Sequence, residues 1–446
     1  MLSYGLSRIL AKKVNKLLFV VSDYLPNRNG GTIRVEKNIK YLRNILSIFV
    51  FCPDLSNNGK HTVIDGVEIH RTYNLDISNL YYSVLNFFRL VKKKVIVNSS
   101  EIQKFVDNKY SRRSEKYVVP DVFILWAVFY FFKLLRCIVY NKIDVVYSSS
   151  PASSNHLIVL FARFFLIKEI FWVVEFRDPW ITNPFRKPKN RFLEFIDSRL
   201  EKVVIAKCNM IIVTSQEYRS DFISRYGSEV ADKIYYHPNG FDSADFGTEL
   251  ERVKNEKFVI ISAGDYYDER SLLPFLLAFK KISDELGNKL LIEFIQYGKV
   301  DVAAQQFLEK YHVCGIKINS PINHLDCLVE MRRSDLLLLV TGPGKGTIPG
   351  KTYEYLATYK PILSLIDDET PVSILLKDLN VGPVLKTSDI LGIYHFLLEL
   401  NTNGLSQKIN KEKVDSVLKI YDRKSIAMEI YKDLSIMWSE FKKKNR

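Results

Sequence analysis

The chain carries a glycine- and lysine-rich segment, "TGPGKGTIPGKTYEYLATYKPILSLI", over residues 341–366. Glycines next to a Gly-Lys-Thr are typical of loops that hold phosphate groups. A Walker A loop would need a glycine at position 345, where the chain has Lys345, so a P-loop nucleotidase is disfavoured. The run "DLLLLV" predicts a strand before the segment, and a helix is predicted to begin near Lys351. Free backbone N–H groups at that helix start would favour a phosphate or pyrophosphate. A flexible surface loop is the alternative.

Further residues could bind the ribose and the phosphates of a nucleotide. Gly350 and Lys351 begin the predicted helix, and Glu354 lies one turn into it, where a carboxylate can accept two hydrogen bonds from a vicinal diol such as a ribose. An ordinary first-turn glutamate is the alternative. In "AGDYYDER", Gly264 follows a predicted strand and Arg270 precedes the next helix. Arginine suits bidentate phosphate binding, although a surface arginine is the common case.

Glycines also follow the first predicted strand of the chain, in "NGGTIR". The adjacent Gly30 and Gly31 would let a ligand or an opposing loop approach the backbone closely. The segment is not a G-x-G-x-x-G motif and no well-placed acid follows it, so a nicotinamide cofactor is disfavoured.

Charged residues close a very apolar strand in "IFWVVEFRDPW". Glu175, Arg177 and Asp178 would be costly in a core, so we expect them to face a cleft. His156 ends another strand-and-loop segment, "SSSPASSNH", and is a further candidate for catalysis. A structural histidine near a helix start is the alternative.

Strands alternate with helices in two successive series, separated by the polar segment 241–257. This pattern predicts an α/β protein with two Rossmann-like, doubly wound parallel-sheet domains. Ligands in such folds bind beyond the carboxyl ends of the strands, and a cleft between the two domains is the expected active site.

Composition narrows the classes of function. The 446 residues carry a formal net charge of +14, which calls for an acidic partner such as a nucleic acid, an anionic membrane or a phosphorylated substrate. The five cysteines are scattered and include no C-x-x-C pair, which predicts no disulfide framework or zinc site and fits a reducing compartment. The seven histidines include no H-x-x-x-H pair, so no metal site is predicted. No cleavable signal is predicted. The apolar run 122–132 stops at Lys133, well short of the roughly 20 residues of a bilayer span.

Taken in order, several stretches resemble a bacterial retaining glycosyltransferase of family four, which has the GT-B fold. The resemblance covers roughly residues 17–370. The stretches are "NGGTIRVEKNIKYL", "DVVYSSSPASSNHLI", "FWVVEFRDPW", "IIVTSQEYRSDF", "KIYYHPNGFDSADF", "AGDYYDERSLLPFLLAF" and "IPGKTYEYLATYKPILSLI".

The resemblance implies two domains that face each other across a cleft, with the nucleotide-sugar donor on the second. The implied divisions are 1–250 with a basic and aromatic insert near 75–119, 251–425, and a final helix at 426–446 that packs back towards the first domain. The implied donor-binding residues are Gly30, Gly31, Arg270 and Glu354, to which the glycine loops and the predicted helix start add Gly264, Gly350 and Lys351. The implied catalytic loop holds Asp178 and Arg177, and His156 remains a catalytic candidate from its position at a predicted strand end.

The chain departs from the family pattern at three positions. Gly346 stands where the first glutamate of a Glu-x7-Glu pair belongs, Asp265 replaces an arginine, and Pro349 lies five residues before Glu354. The resemblance implies an enzyme without metal or cofactor, in which Arg270, Lys351 and helix N-termini neutralise the leaving diphosphate. It also implies retention by front-face attack and domain closure that excludes water.

The insert suggests a membrane partner. From Arg89 to Lys116 it has nine basic and three acidic residues, preceded by the aromatic run "LYYSVLNFF". Such a segment suits an interfacial helix on an anionic membrane, or aromatic core with solvated lysines. We expect a cytoplasmic enzyme, peripheral on the inner membrane face, that acts on a glycan or lipid-linked acceptor in capsule, O-antigen or exopolysaccharide (lipopolysaccharide-type) synthesis. A non-catalytic partner subunit is the alternative. Nucleic-acid binding rests on charge alone and is disfavoured.

Overall fold

A computed structural model describes residues 14–26, 30–55, 61–77, 117–183, 186, 189–247, 255–267, 270–342, 348–405 and 407–445. The chain divides into two compact units. The first comprises residues 1–237 and 427–446, and the second comprises residues 238–426. The division therefore falls at Pro238, a few residues before the polar segment in which the sequence analysis placed it.

The first unit is an α/β sandwich around one sheet. In chain order its described elements are β1 (Lys16–Val20), α1 (Gly30–Leu42), β2 (Ser47–Asp54), β3 (His61–Ile64), β4 (Val67–Tyr73), α2 (Ile124–Asn141), β5 (Val145–Ser150), α3 (Ser154–Phe164), β6 (Phe171–Phe176), α4 (Arg191–Lys207), β7 (Met210–Val213), α5 (Gln216–Tyr226) and β8 (Ile234–Tyr236). The strands are ordered β3-β4-β2-β1-β5-β6-β7-β8. Only the β3–β4 pair is antiparallel among the described pairs.

The central strands of this sheet are buried along their whole length because helices cover both faces. Every residue of β5 and β6 is buried, which is the continuous apolar pattern of a parallel sheet rather than an alternating one. Helices α2, α3 and α4 pack on one face around Trp126, Leu157 and Val204. Strand β1 lies between β2 and β5, so the connection direction reverses between β1 and β5. In open α/β sheets this reversal opens a crevice at the carboxyl edge.

Helix α2 is longer than the apolar run suggested. It continues through Lys133 to Asn141 because Lys133 and Arg136 lie on its exposed side, where charges do not interrupt packing. By length and composition alone it could cross a membrane, with a mean hydropathy of 1.4 over 18 residues, of which 28% are buried. Its inner side packs in the core, and Trp126 Nε1 donates a hydrogen bond of 2.7 Å to Thr72 Oγ1.

The second unit repeats the design on a smaller scale. Its described elements are β9 (Phe258–Ala263), α6 (Leu273–Leu286), β10 (Ile292–Tyr297), α7 (Val302–Lys310), β11 (Ile316–Asn319), α8 (His324–Arg333), β12 (Leu336–Val340), α9 (Gly350–Ala357), β13 (Ile362–Leu365), α10 (Pro371–Leu379), β14 (Val384–Leu385), α11 (Ile390–Asn403) and α12 (Lys411–Tyr421). The sheet is parallel, in the order β11-β10-β9-β12-β13-β14. Its connection direction reverses between β9 and β12, so a crevice is expected at their carboxyl ends.

The last helix, α13 (Arg423–Lys444), begins in the second unit and lies from Ala427 onwards with the first. There Asp433 pairs with His237 at 3.0 Å, and Phe441 packs against Phe171 with ring centres 5.5 Å apart.

Candidate functional site

The carboxyl edge of the second sheet brings together the glycine and lysine that the sequence analysis selected. Gly264 follows β9 with φ +99°, a conformation that favours glycine, and a Cβ added there would lie 3.9 Å from Lys351 Nζ. Lys351 is the second residue of α9, whose N-cap is Pro349 and makes no side-chain cap hydrogen bond. The open backbone at Gly264 and the start of α9 therefore lie on either side of one ammonium group.

The Lys351 ammonium lacks a close anionic partner among the described residues. Its Nζ lies 3.4 Å from the Ala263 carbonyl oxygen and 5.7 Å from the centre of the Tyr266 ring. Burial, and next the neighbouring Arg270, lower the pKa of Lys351 to about 7, and Glu354 only partly opposes them. A partly buried lysine whose pKa is lowered in this way gains from an added anion, because the anion restores the charged form.

Arg270 contributes a second cation to the same place. Its backbone N–H donates to the Tyr267 carbonyl at 2.6 Å, and its guanidinium lies 5.4 Å from the centre of the Tyr267 ring. Its buried Nε has no hydrogen-bond acceptor among the described residues. Two cations, one with an unused donor, are suited to a diphosphate.

Glu354 has a partner that the sequence analysis did not anticipate. Its Oε1 lies 2.8 Å from His324 Nε2, and His324 Nδ1 lies 3.8 Å from a carboxylate oxygen of Asp245. The imidazole thus orients the carboxylate through one of its two oxygens. His324 is 30 residues from Glu354 in sequence and meets it only through the fold, so spacing gives no signal for the pair.

Asp178 lies at the carboxyl edge of the first sheet, just after β6. It lines a cavity of about 230 Å³ together with Ser153, Asn183, Arg186 and Lys189. Burial raises the pKa of Asp178, and Arg177 partly opposes this shift. The charges of the two basic residues of the cavity are already paired, because Arg186 and Lys189 both form ion pairs with Asp197, at 2.6 and 2.5 Å.

Arg177 lies beside a second cavity and is held by backbone atoms. Its Nε donates to the Ser150 carbonyl at 2.5 Å, and its own carbonyl accepts from Thr214 at 2.6 Å. The cavity has a volume of about 320 Å³ and is also lined by Ser22 and Asn155. It lies at the β1/β5 reversal, where the fold predicts a crevice.

Glu175 does not face a cleft, contrary to expectation. It is completely buried, with Oε1 2.8 Å from Arg34 Nε and Oε2 accepting from Ser149 Oγ at 2.6 Å. Burial would raise its pKa, but the Arg34 guanidinium and the Ser149 hydroxyl hold the pKa below its usual value. Arg34 also donates to the His237 carbonyl at 2.9 Å. The sequence analysis missed Arg34, since only the fold brings α1 to β6.

His156 is also fully buried rather than placed at a cavity wall. Its Nδ1 lies 2.8 Å from Ser148 Oγ, and its buried Nε2 has no hydrogen-bond partner among the described residues. Burial lowers the pKa of His156 to about 3, with Glu175 opposing. The ring is therefore neutral at physiological pH, and its position fits the structural alternative better than contact with a substrate.

The remaining predicted positions lie at the margins of what the structure describes. Gly30 and Gly31 are the first two residues of α1, and residues 27–29 before them lie outside the described residues. Lys345 and Gly346 lie outside them as well, and so does the insert from residue 78 to residue 116.

One side-chain cluster in the described part of the chain could hold a metal ion, although the sequence predicted no such site. His61, Glu68 and His70 share a face of the β3–β4 hairpin, with ligand atoms within 4.8 Å of one another. The E-x-H spacing on a strand is the signal that a search for H-x-x-x-H pairs overlooks. None of the three residues is among those selected for donor binding or catalysis.

The chain is similar to known proteins in sequence and in fold. The sequence model of Glycosyltransferase Family 4 matches residues 94–245. None of the curated proteins searched matches the chain. A sucrose-phosphate synthase from Thermosynechococcus elongatus is similar in structure, with a TM-score of 0.64, 10% identity and coverage of 96% of this chain and 100% of the other.

Two further solved structures are similar over both units. One is an α,α-trehalose-phosphate synthase (UDP-forming) from Burkholderia vietnamiensis, with a TM-score of 0.58, 12% identity and coverage of 94% and 99%. The other is described as trehalose-6-phosphate from E. coli bound with UDP-2-fluoro glucose, with a TM-score of 0.60, 12% identity and the same coverage. The chain has the GT-B fold. The family match over residues 94–245 supports a glycosyltransferase, and the similar structures support its GT-B fold.

Proposed function

We propose that this GT-B protein is a retaining, metal-independent glycosyltransferase that needs no cofactor beyond its donor. It moves a hexosyl or related sugar from a nucleoside diphosphate to a glycan or lipid-linked acceptor. The observation that carries the proposal is the cluster of Gly264, Arg270 and Lys351 at the carboxyl edge of the second sheet. There a partly buried lysine and an arginine lie together beside a helix start without a side-chain cap.

In the proposed reaction the donor diphosphate lies against this cluster, and Glu354 holds the ribose. The acceptor hydroxyl oxygen bonds to the anomeric carbon while the bond from that carbon to the phosphate oxygen breaks. The proton of the hydroxyl passes to the departing diphosphate, so attack and departure share one face and the configuration is retained. Charge on the leaving group is stabilised by Arg270 and Lys351. No pair of carboxylates of the glycosidase type is required.

Asp178 is the residue proposed to orient the acceptor, with Arg177 supporting the loop that carries it. Its cavity in the first unit is walled by serine, asparagine and ion-paired side chains, which suits the hydroxyl groups of a sugar. The sugar-phosphate synthases with the same fold share only 10–12% identity, so their acceptors are not transferred to this chain.

The biological setting is proposed from the sequence resemblance. The enzyme would work in the cytoplasm, peripheral on the inner face of the cell membrane, and build capsule, O-antigen or exopolysaccharide chains. A non-catalytic partner subunit is the second candidate, favoured by Gly346 and by Asp265. In the structure Asp265 Oδ1 accepts from the Lys299 N–H at 2.9 Å.

The test is transfer from a panel of nucleotide sugars to membrane-extracted lipid-linked acceptors, with release of nucleoside diphosphate and the anomeric configuration of the product as readouts. Asp178→Asn should reduce transfer about 100-fold, because the acceptor loses its orientation, while donor binding stays unchanged. Thr182→Ala is the matched control, since Thr182 Oγ1 hydrogen-bonds Asp221 at an exposed position. Inversion of configuration would contradict the mechanism, and donor binding without transfer to any acceptor would favour the partner-subunit candidate.

A further inference from the structure

An exposed aromatic and basic surface covers the outer side of the first unit. We call it the α2–α3 face and define it by Phe129, Phe132, Lys133, Arg136 and Tyr140 of α2 with Phe164, Phe165, Ile167 and Lys168 at the end of α3. All nine side chains are exposed. Phe129 is 65% exposed and Tyr140 is 82% exposed. Large apolar side chains at this density mark an interaction surface rather than ordinary scatter.

The face is one continuous surface rather than separate side chains. The five residues of α2 recur at helical spacing and form one stripe. The ring of Phe165 lies 5.4 Å from that of Phe132 and 5.3 Å from that of Phe131, so the end of α3 packs beside the stripe. On the opposite side of α2, Trp126 and Leu134 are completely buried. Helix α2 therefore shows an apolar exterior while anchored in the core.

The positive charge of the α2–α3 face favours an anionic partner. Helix α2 contains Lys133 and Arg136 and no acidic residue, and Lys142 follows it. Lys168 lies at the other end of the face beside a single acid, Glu169. The last residues of α13 reach the same end, where Asn445 Nδ2 lies 3.4 Å from Glu169, and they carry further lysines. A second copy of this chain, with a net charge of +14, would be repelled, and so would the basic insert.

We propose that the α2–α3 face docks the first unit on an anionic lipid bilayer, with α2 lying in the plane of the headgroups. The aromatic rings enter the interface and the lysines and arginine contact lipid phosphates, as in interfacial amphipathic helices. Packing opposes spanning, because the buried residues of α2, such as Trp126 and Leu134, would have to leave the core. The proposal adds a second, structured contact to the membrane association suggested by the insert, and it does not depend on sugar transfer.

The test is co-sedimentation of the full chain with vesicles of phosphatidylcholine alone and of phosphatidylcholine mixed with phosphatidylglycerol. Wild-type protein should bind the anionic vesicles and bind the neutral ones much less. The double variant Lys133→Glu/Arg136→Glu should lower the partition constant about tenfold or more. Phe129→Gln/Ile167→Gln should weaken binding with a smaller loss of salt dependence. All four positions are exposed, so the fold is retained, and unchanged melting temperatures check this.

The matched control is Leu391→Gln/Ile420→Gln, which removes two apolar side chains of similar exposure from the second unit. It should bind vesicles as the wild type does. Equal binding by the control and both face variants would overturn the proposal and leave the insert as the membrane contact. A wild type that ignores vesicles overturns it too. If that protein is also a dimer that Phe129→Gln/Ile167→Gln dissociates, the face is an interface between copies.

Discussion

At the scale of single residues, the ionisation of Lys351 is expected to control binding of the donor diphosphate. Burial and Arg270 lower the pKa of Lys351 to about 7, so above that pH the side chain is mostly neutral in the free protein. A bound diphosphate would raise the pKa again, and binding would then be coupled to proton uptake.

We therefore expect the dissociation constant for the donor nucleoside diphosphate to rise between about pH 7 and pH 9, approaching tenfold per pH unit. Isothermal titration calorimetry in buffers of different ionisation enthalpy measures both the affinity and the protons taken up. Lys351→Arg is the control, because arginine stays charged throughout this range and should flatten the profile. The same slope in wild type and Lys351→Arg would show that another group titrates.

Arg34 and Glu175 act at the scale of elements, since their ion pair fastens α1 to β6 within the first unit. Arg34→Met leaves a buried carboxylate without its cation and should lower the free energy of unfolding by about 3–5 kcal/mol. Arg34→Met/Glu175→Met removes both charges and should recover much of that loss. Chemical denaturation of both variants gives the comparison.

The control for this pair is Arg43→Ala, which removes an ion pair with Asp65 that is partly to largely exposed. Its effect should stay below about 1 kcal/mol. If the single and double buried variants are equally destabilised, Glu175 is not the group that Arg34 neutralises.

The sequence predicted the elements better than their contacts. Buried parallel strands such as β5, β6 and β12 are continuous apolar runs, so local composition identifies them. The apolar run 122–132 gave no sign that α2 continues to Asn141, because a charged residue on an exposed helix face interrupts an apolar run without ending the helix. Gly264 and Lys351 were found because each stands at a strand end or helix start. The partners of Glu175 and Glu354 were not found, since Arg34 and His324 lie on elements distant in sequence.

At the scale of the whole molecule, the GT-B fold is shared by proteins that differ in their reactions, so the fold alone does not establish sugar transfer. In this chain a family-four match over residues 94–245 is combined with the cluster of Gly264, Arg270 and Lys351 in the second unit. The proposed function requires that this cluster binds a nucleotide.

The most direct test is ligand-dependent thermal unfolding of the full chain with a panel of nucleoside diphosphates and nucleotide sugars. One nucleotide class at 100 times its dissociation constant should add about 2.7 kcal/mol and raise the melting temperature by several degrees. Arg270→Ala and Glu354→Ala should abolish the shift, whereas Arg333→Ala, which removes an exposed charge from α8, should keep it. A folded protein that shifts with none of them, or variants that shift as the wild type does, would contradict the account.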